Sequence, residues 1–525
     1  MSATPCTPRQ LREAIVATLP ADPAAEHGQQ GPERQSQLYL PSSHTRALRL
    51  ESSLVIGGRG VGKSVWSEAL QGNVQESGVL PPGFFPAYSL SVQPGCGISP
   101  KRNIYPDPDT FDALLARSFP AFAIWRGVLC RALAQVAGQD CLPKDSWEST
   151  VGWVQTSPED VARLIEDSDR ILQQRGQGLL LVFDALDRVS SSGRWSVVDK
   201  AIGDLMRLVL QLKGSRRIHA KVFLRTDQYE RGNFAGIPDF SKLQSTRVEL
   251  IWSASDLHGL LWQTLTNGGP GAARDQFRSW CDDLSRQGNT WSDLPRQGNL
   301  LFDPPAMSSG SGAGRWPIPQ ELQRNQRVQR RIFQELAGPW MGKDRRRGVP
   351  YVWIVNHLAD GQGQTTPRSF LAALRHAAED SLERYCDHPL ALHYDSLKRG
   401  VQAASQIRID ELAEDHAWMR DVMRPLAGIM VPCSKDDVLA RWRNEWGALQ
   451  SDGSSQPSEV SRLVESLPES LARDDWPGVL KYLEQLGLIT WLRDGRLNMP
   501  DLFRVGFRLG RRGGIKPALR HSRSA

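Results

Sequence analysis

An α/β fold, a doubly wound parallel sheet with helices on both faces, is predicted by three stretches of the sequence. The first is a short apolar run, Leu54 to Ile56, followed without a break by Gly57-Gly-Arg-Gly-Val-Gly-Lys63-Ser64. The second is Gly178-Leu-Leu-Leu-Val-Phe-Asp184-Ala-Leu-Asp187-Arg188, five consecutive apolar residues ending in two acids. The third, Lys221-Val-Phe-Leu-Arg225-Thr226-Asp227, is another apolar run with a polar end. Strands that are apolar throughout, rather than at alternate positions, are buried on both faces, as a parallel sheet requires. The spacers between them are long enough for crossover helices, and Val248 to Trp252 supplies a fourth strand.

The stretch from 57 to 64 matches the phosphate-binding loop pattern in full: Gly, four residues, Gly, Lys, Ser. Glycines 57, 58, 60 and 62 free the backbone so that successive N–H groups, including those of Arg59 and Val61, turn inward around an anion. Lys63 brings a point charge to β- and γ-phosphates, and Ser64 brings a hydroxyl to Mg²⁺. A helix beginning near Gly62 aims the positive end of its dipole at the same phosphates. Apolar spacing from Lys63 to Gln71 gives that helix its buried face. The ligands expected are therefore ATP and Mg²⁺.

In such a site the acid at the end of the second strand holds Mg²⁺ through water, and Asp184 is placed for it. Asp187 lies on the same rim, where a carboxylate can orient or deprotonate an attacking water. A helix cap or an ion pair with Arg188 are its alternatives. Polar groups at strand carboxyl ends face the ligand in this architecture, so Arg225 or Thr226 is placed to sense the γ-phosphate. Arg216 and Arg217, just before the third strand, are read either as surface charge or as groups reaching a nucleotide on a neighbouring subunit. Thr365-Thr-Pro367-Arg368 carries a helix-start signal, and Arg368 in that first turn is either a lid arginine that swings onto a phosphate or a solvated one.

The 525 residues allow several domains. Residues 1–50 read as an N-terminal segment and linker, with a short helix, a Pro/Gly/Gln-rich stretch, and Tyr39 to His44 leading into the first strand. His44 there is either close to a nucleotide base or part of an ordinary lead-in. The P-loop core is expected over 51–266, with alternating loops and helices between 72 and 178. Residues 267–320, with a near duplication of Leu-x-Arg-Gln-Gly-Asn and a Ser/Gly run, read as an insertion or loop. A helical lid is expected over 321–400. The last unit, 401–525, shows a helix ending at Gly487, a hairpin turning at Asp494-Gly495 and a further helix start, the order of a winged helix, followed by a basic tail.

With 40% hydrophobic and 23% charged residues the composition is that of a soluble globular protein, and no apolar run approaches a membrane span. The N-terminus shows no secretory pattern, and seven singly scattered cysteines suit reduced thiols in a cytoplasm. The net charge of +6 permits contact with nucleic acid without demanding it. Six basic residues between 508 and 525 stand without an acid.

Taken together, Gly57 to Ser64, Asp184-Ala-Leu-Asp187, Arg225 after a strand, Pro367-Arg368 opening a lid helix and the C-terminal winged helix resemble the AAA+ and STAND groups of P-loop ATPases, the STAND signal-transduction ATPases most. The resemblance implies a slow ATPase that works as an oligomerising switch and signals to a separately encoded protein partner, as in bacterial antiphage defence. It also implies a Met-His-Asp tripeptide that closes the winged helix onto nucleotide. Here Met499-Pro500-Asp501 stands in that place, without the histidine. The alternative is a DNA-binding AAA+ ATPase of the replication-initiator or transposition-regulator type, using the winged helix and the basic tail.

Overall fold

The computed structural model describes residues 6–20, 36–72, 80, 83–99, 101–139, 142–232, 234, 236–286, 316, 318–446, 463, 467, 471, 476–513 and 515–517. The chain forms two compact units, one of His27–Ile251 and one joining Met1–Glu26 to Trp252–Ala525.

The first unit is built on a parallel sheet of five strands, β1 (Leu54–Gly57), β2 (Ser89–Cys96), β3 (Gln177–Phe183), β4 (Ile218–Arg225) and β5 (Val248–Glu249), in the order β2-β3-β4-β1-β5. One face carries Leu54, Ile56, Leu179, Leu181, Phe183, Val222 and Leu224, packed with the helices Ala121–Ala137 and Trp195–Leu212 into a single core. The residues of opposite parity, Val55, Leu180, Val182 and Phe223, are buried as well, so both faces are covered. β2 is the strand that apolar patterning does not announce. It lies at the sheet edge and contains Pro94, which lacks the N–H an interior strand needs, and much of it is only half-buried.

Lys221 on β4 is fully buried, and its ammonium donates to the carbonyls of Ala47, Arg49 and Ser52 at 2.6, 2.9 and 2.5 Å. Three acceptors match its three donors, which ties the segment before β1 to the middle of the sheet.

The second unit is helical apart from a small hairpin. Its helix Pro8–Thr18 packs on the helices Gly271–Arg286 and Pro367–Arg384. Arg12 on it is buried and donates to the carbonyls of Cys386, His388, Leu390 and Ala391 at 2.7–2.8 Å. The N-terminal helix therefore does not belong with a 1–50 leader, and the core ends near Ile251, because Ala254–Asn267 buries almost its whole surface within the second unit. The insertion expected over 267–320 likewise begins with a packed helix, Gly271–Arg286, whose Phe277 and Cys281 are buried. The remainder of that stretch, residues 287–315, lies outside the described residues, as does most of the linker before Gln37.

The helices Pro367–Arg384 and Tyr394–Asp415 pack closely, because Gly400 leaves room where a Cβ would collide with the Ala373 carbonyl. Helices Lys435–Trp446 and Trp476–Gln485 then lead to the antiparallel pair β6 (Thr490–Trp491) and β7 (Leu497–Asn498), and the short helix Asp501–Arg504 follows, so the expected order of helix, hairpin and further helix is present. Gly495 turns this hairpin at φ +79°.

Candidate functional site

The phosphate loop joins β1 to the helix Lys63–Gln71. Gly60 and Gly62 have φ of +80° and +99°, the left-handed region that glycine enters without strain. Gly57 is needed for a different reason: a Cβ there would lie 2.7 Å from Val61 Cγ2. Gly58 has neither constraint, so the expectation of four conformationally demanding glycines reduces to two, plus one of close approach. Among the described residues no side chain caps the helix, so its first amides are left to the loop's concave side. Lys63 folds back and donates to the carbonyls of Gly57 and Gly58 at 2.9 and 2.7 Å.

The strand order builds the rest. β4 lies between β1 and β3, and Gly57 stands in register with Arg225, so the end of β4 is set between the loop and the acids that follow β3. Asp184 is buried, its amide donates to the Cys96 carbonyl at 3.1 Å, and the Ser64 hydroxyl stands near its carboxyl and favours its ionised form. Ala185 then takes a left-handed φ of 53°, which turns the chain into a short 3₁₀ helix, Leu186–Arg188. Asp187 on that turn faces Arg225 at 3.9 Å, while Arg188 is exposed.

Arg225 is held from the other side by Asp227, at 2.9 Å from its Nε. Asp227 in turn accepts from Arg231 at 2.9 Å, and Arg231 lies 3.6 Å from Asp199 and over the Trp195 ring. Sequence reasoning missed Asp227 and Arg231. The available signal was position, since Asp227 follows directly on the strand end that displays Arg225.

Burial, then the nearby Arg225 charge, pull the Lys63 amine down to about 8 against the attraction of Asp184, Asp227 and Asp187. Burial raises Asp184 above the ordinary carboxylate range, opposed by Ser64 and Lys63. For Asp227 burial opposes ionisation, but Arg225 and Arg231 outweigh it and hold the carboxyl low. A half-buried lysine beside a hydroxyl–carboxylate pair, under an uncapped helix start, is the donor set for a triphosphate with a hard divalent cation.

Other expected residues lie elsewhere. Arg216 and Arg217 precede β4, at the end of the parallel sheet opposite the loop. Their amides donate to Asp169 and the Arg217 guanidinium covers Tyr88, so they lie away from this chain's own phosphate loop. Thr226 opens the helix Thr226–Arg231 beside Arg225, half-buried. His44 is a core residue: it accepts from Trp66 Nε1 at 3.0 Å, and burial lowers its pKa to about 4. Arg368 sits in the first turn of Pro367–Arg384, capped by Thr366 as expected, but in the second unit, paired with Glu411 at 2.7 Å. Asp501 of the Met-Pro-Asp tripeptide is buried and accepts from His357 and Arg504 at 2.9 and 2.6 Å.

No protein-family model and no curated protein matches the chain. It is similar at 12% identity to the Aeropyrum pernix ORC2 protein in its ADPNP–ADP complexes, over 92% of this chain and 91% of that one, with a TM-score of 0.36. For Cdc6p from Pyrobaculum aerophilum the values are 11%, 93%, 93% and 0.29. For the Aeropyrum pernix ORC1 protein in complex with DNA they are 12%, 89%, 93% and 0.32. The strand order and the phosphate loop of this chain make it an α/β P-loop fold. Among the described residues no helix is long and apolar enough to cross a membrane.

Proposed function

We propose that the chain is an ATP-binding, slowly hydrolysing P-loop ATPase of the AAA+ and STAND kind. The observation that carries this reading is the convergence of Lys63, the Ser64–Asp184 pair, Asp187 and Arg225 at one end of the parallel sheet. The loop amides and Lys63 would hold the β- and γ-phosphates, Lys63 exchanging the carbonyls of Gly57 and Gly58 for phosphate oxygens. Ser64 and Asp184 would hold Mg²⁺, which when bound neutralises the charge that develops on the phosphates. Asp187 accepts a hydrogen bond from the attacking water and so aligns it with the γ-phosphorus. As the water–phosphorus bond forms, the bond to the bridging oxygen breaks, ADP departs with the electron pair, and the water's proton passes to an oxygen of the phosphate that forms. Arg225, on the same rim, compensates the charge on the transferred group.

Lys63→Ala tests the reading at its base. Calorimetry of the parent with Mg·ATP should show binding and the variant little or none; equal affinity would overturn it. Asp187→Asn should bind ATP normally and lose most of its turnover.

What the ATPase cycle drives belongs to the same proposal. In the reading developed from the motifs, ATP promotes homo-oligomerisation and the assembly acts on a separate protein, so a nonhydrolysable analogue should enlarge the particle in light scattering. A second reading, a DNA-binding ATPase of the replication-initiator or transposition-regulator type, is favoured by Arg493, Arg508 and Arg512, exposed on or after the C-terminal hairpin. DNA titration with and without ATP distinguishes the two.

A further inference from the structure

The helix Gln326–Ala337 buries Val328, Ile332, Phe333 and Leu336 and turns Arg327, Arg330 and Arg331 outward at spacings of three and four. Arg324, closing the helix Gln320–Arg324, is exposed too. Beyond Gly338 the chain exposes Lys343, Arg345, Arg346 and Arg347, the three arginines in one 3₁₀ turn capped by the Asp344 carboxylate on the Arg346 amide at 2.8 Å. From 324 to 347 eight basic residues stand against two acidic ones, an excess of six that equals the net charge of the whole chain.

Among the described residues, most of this charge is also without a compensating acid. On several other exposed helices an arginine is paired with an acid about one turn away, as in Arg9–Glu13, Arg163–Asp160, Arg170–Asp167 and Arg384–Asp380. Among the described residues, the side chains of Arg324, Arg327, Arg330, Lys343, Arg345, Arg346 and Arg347 make no ion pair or hydrogen bond. Like charges one turn apart cost a helix about 0.2–0.5 kcal/mol per pair, so this face is destabilising until a polyanion covers it. Seven of the eight basic residues are arginines, whose forked guanidinium matches phosphate oxygens in pairs.

We propose that the surface from Arg324 to Arg347 binds the phosphate backbone of nucleic acid without reading its sequence. The 12-residue helix is about 18 Å long, enough to follow about five nucleotide steps of one strand. The inference extends the DNA-binding reading above but names a different surface, and it stands whether or not the hairpin touches DNA. An acidic protein is the competing occupant.

The test is a fluorescence titration of the full-length chain with a labelled 20-nucleotide single strand and the corresponding 20-base-pair duplex, at low and moderate salt. Binding to one or both, falling steeply with salt, is expected; preference between the two identifies the form of nucleic acid. Arg345→Glu/Arg346→Glu/Arg347→Glu and, separately, Arg327→Glu/Arg330→Glu should each weaken binding at least about tenfold and reduce the salt slope by about two to three. Both variants should keep parental affinity for Mg·ATP, which certifies their fold and separates this test from that of the P-loop. A chain cut after Pro517, lacking Arg520 and Arg523, should bind as the parent does. The proposal is overturned if the folded parent binds neither oligonucleotide at low salt or if both charge-reversal variants bind like the parent. It also falls if only the cut chain loses binding, or if the variants lose retention on polyglutamate while keeping nucleic acid.

Discussion

Arg225 owes its aim to two carboxylates, with Asp227 at 2.9 Å fixing its Nε edge and Asp187 at 3.9 Å standing beyond its far nitrogen. Removing the Asp227 charge frees the guanidinium to rotate, so Asp227→Asn should lower kcat more than it raises KM. Arg225→Ala should be as damaging as Asp187→Asn, because phosphoryl transfer depends on charge compensation more than on strong base chemistry. Lys63 gives a pH signature. Its amine, lowered to about 8, must be charged to hold phosphate, and phosphate binding raises it again. ATP binding should therefore take up protons above about pH 8, and affinity should fall as pH rises through that region. Calorimetry in two buffers of different ionisation enthalpy reads the uptake directly, and Lys63→Ala should abolish it. Arg368 is paired with Glu411 in the second unit, so a γ-phosphate role requires exchanging that partner. If it has one, Glu411→Gln should raise turnover and Arg368→Ala lower it; two unchanged rates would remove Arg368 from the mechanism.

At the scale of the element, the phosphate loop separates glycines that look equivalent in sequence. Gly62→Ala places a side chain at φ +99°, a strain of about 1–3 kcal/mol at the point where the helix amides are presented, and ATP affinity should drop sharply. Gly58→Ala, whose nearest non-neighbouring atom would be 3.7 Å away, should be nearly neutral, and calorimetry on the pair checks the contrast. β4 has a second job, through Lys221. Lys221→Met keeps the length of the side chain but leaves three carbonyls without their donor, and a loss of about 2–4 kcal/mol in denaturant unfolding is expected.

At the scale of the whole molecule, the C-terminal segment is not simply a basic tail. Arg504, fully buried, donates to the carbonyls of Leu509 and Ile515 at 3.0 and 2.6 Å, Ile515 is itself buried, and Arg511 lies 3.6 Å from Asp501. Residues 508–517 thus complete the packing around the Asp501 network. A chain ending at Phe507 should melt several degrees below one ending at Pro517. Thermal unfolding of the two truncations tests this before any binding experiment on the tail is interpreted.

The sequence alone determined what depends on local chemistry and period. Unbroken apolar runs at 54–56, 179–183 and 222–224 required strands covered on both faces, and Gly57 to Ser64 required a strand, loop and helix around an anion. Thr366-Pro367 announced a helix start, and Asp494-Gly495 a hairpin turn, because caps and turns are decided within a few residues. β2 escaped because an edge strand with a proline has no continuous apolar signature. Tertiary structure alone decided which distant groups meet. The strand order brings Gly57 beside Arg225, and the chain's return near 390 gives Arg12 its four carbonyls. Asp227, Lys221 and Arg504 look like ordinary surface charges in the sequence, since a charged side chain is costly to bury until a partner far along the chain is folded against it. That partner is fixed by packing, which leaves no local pattern to read.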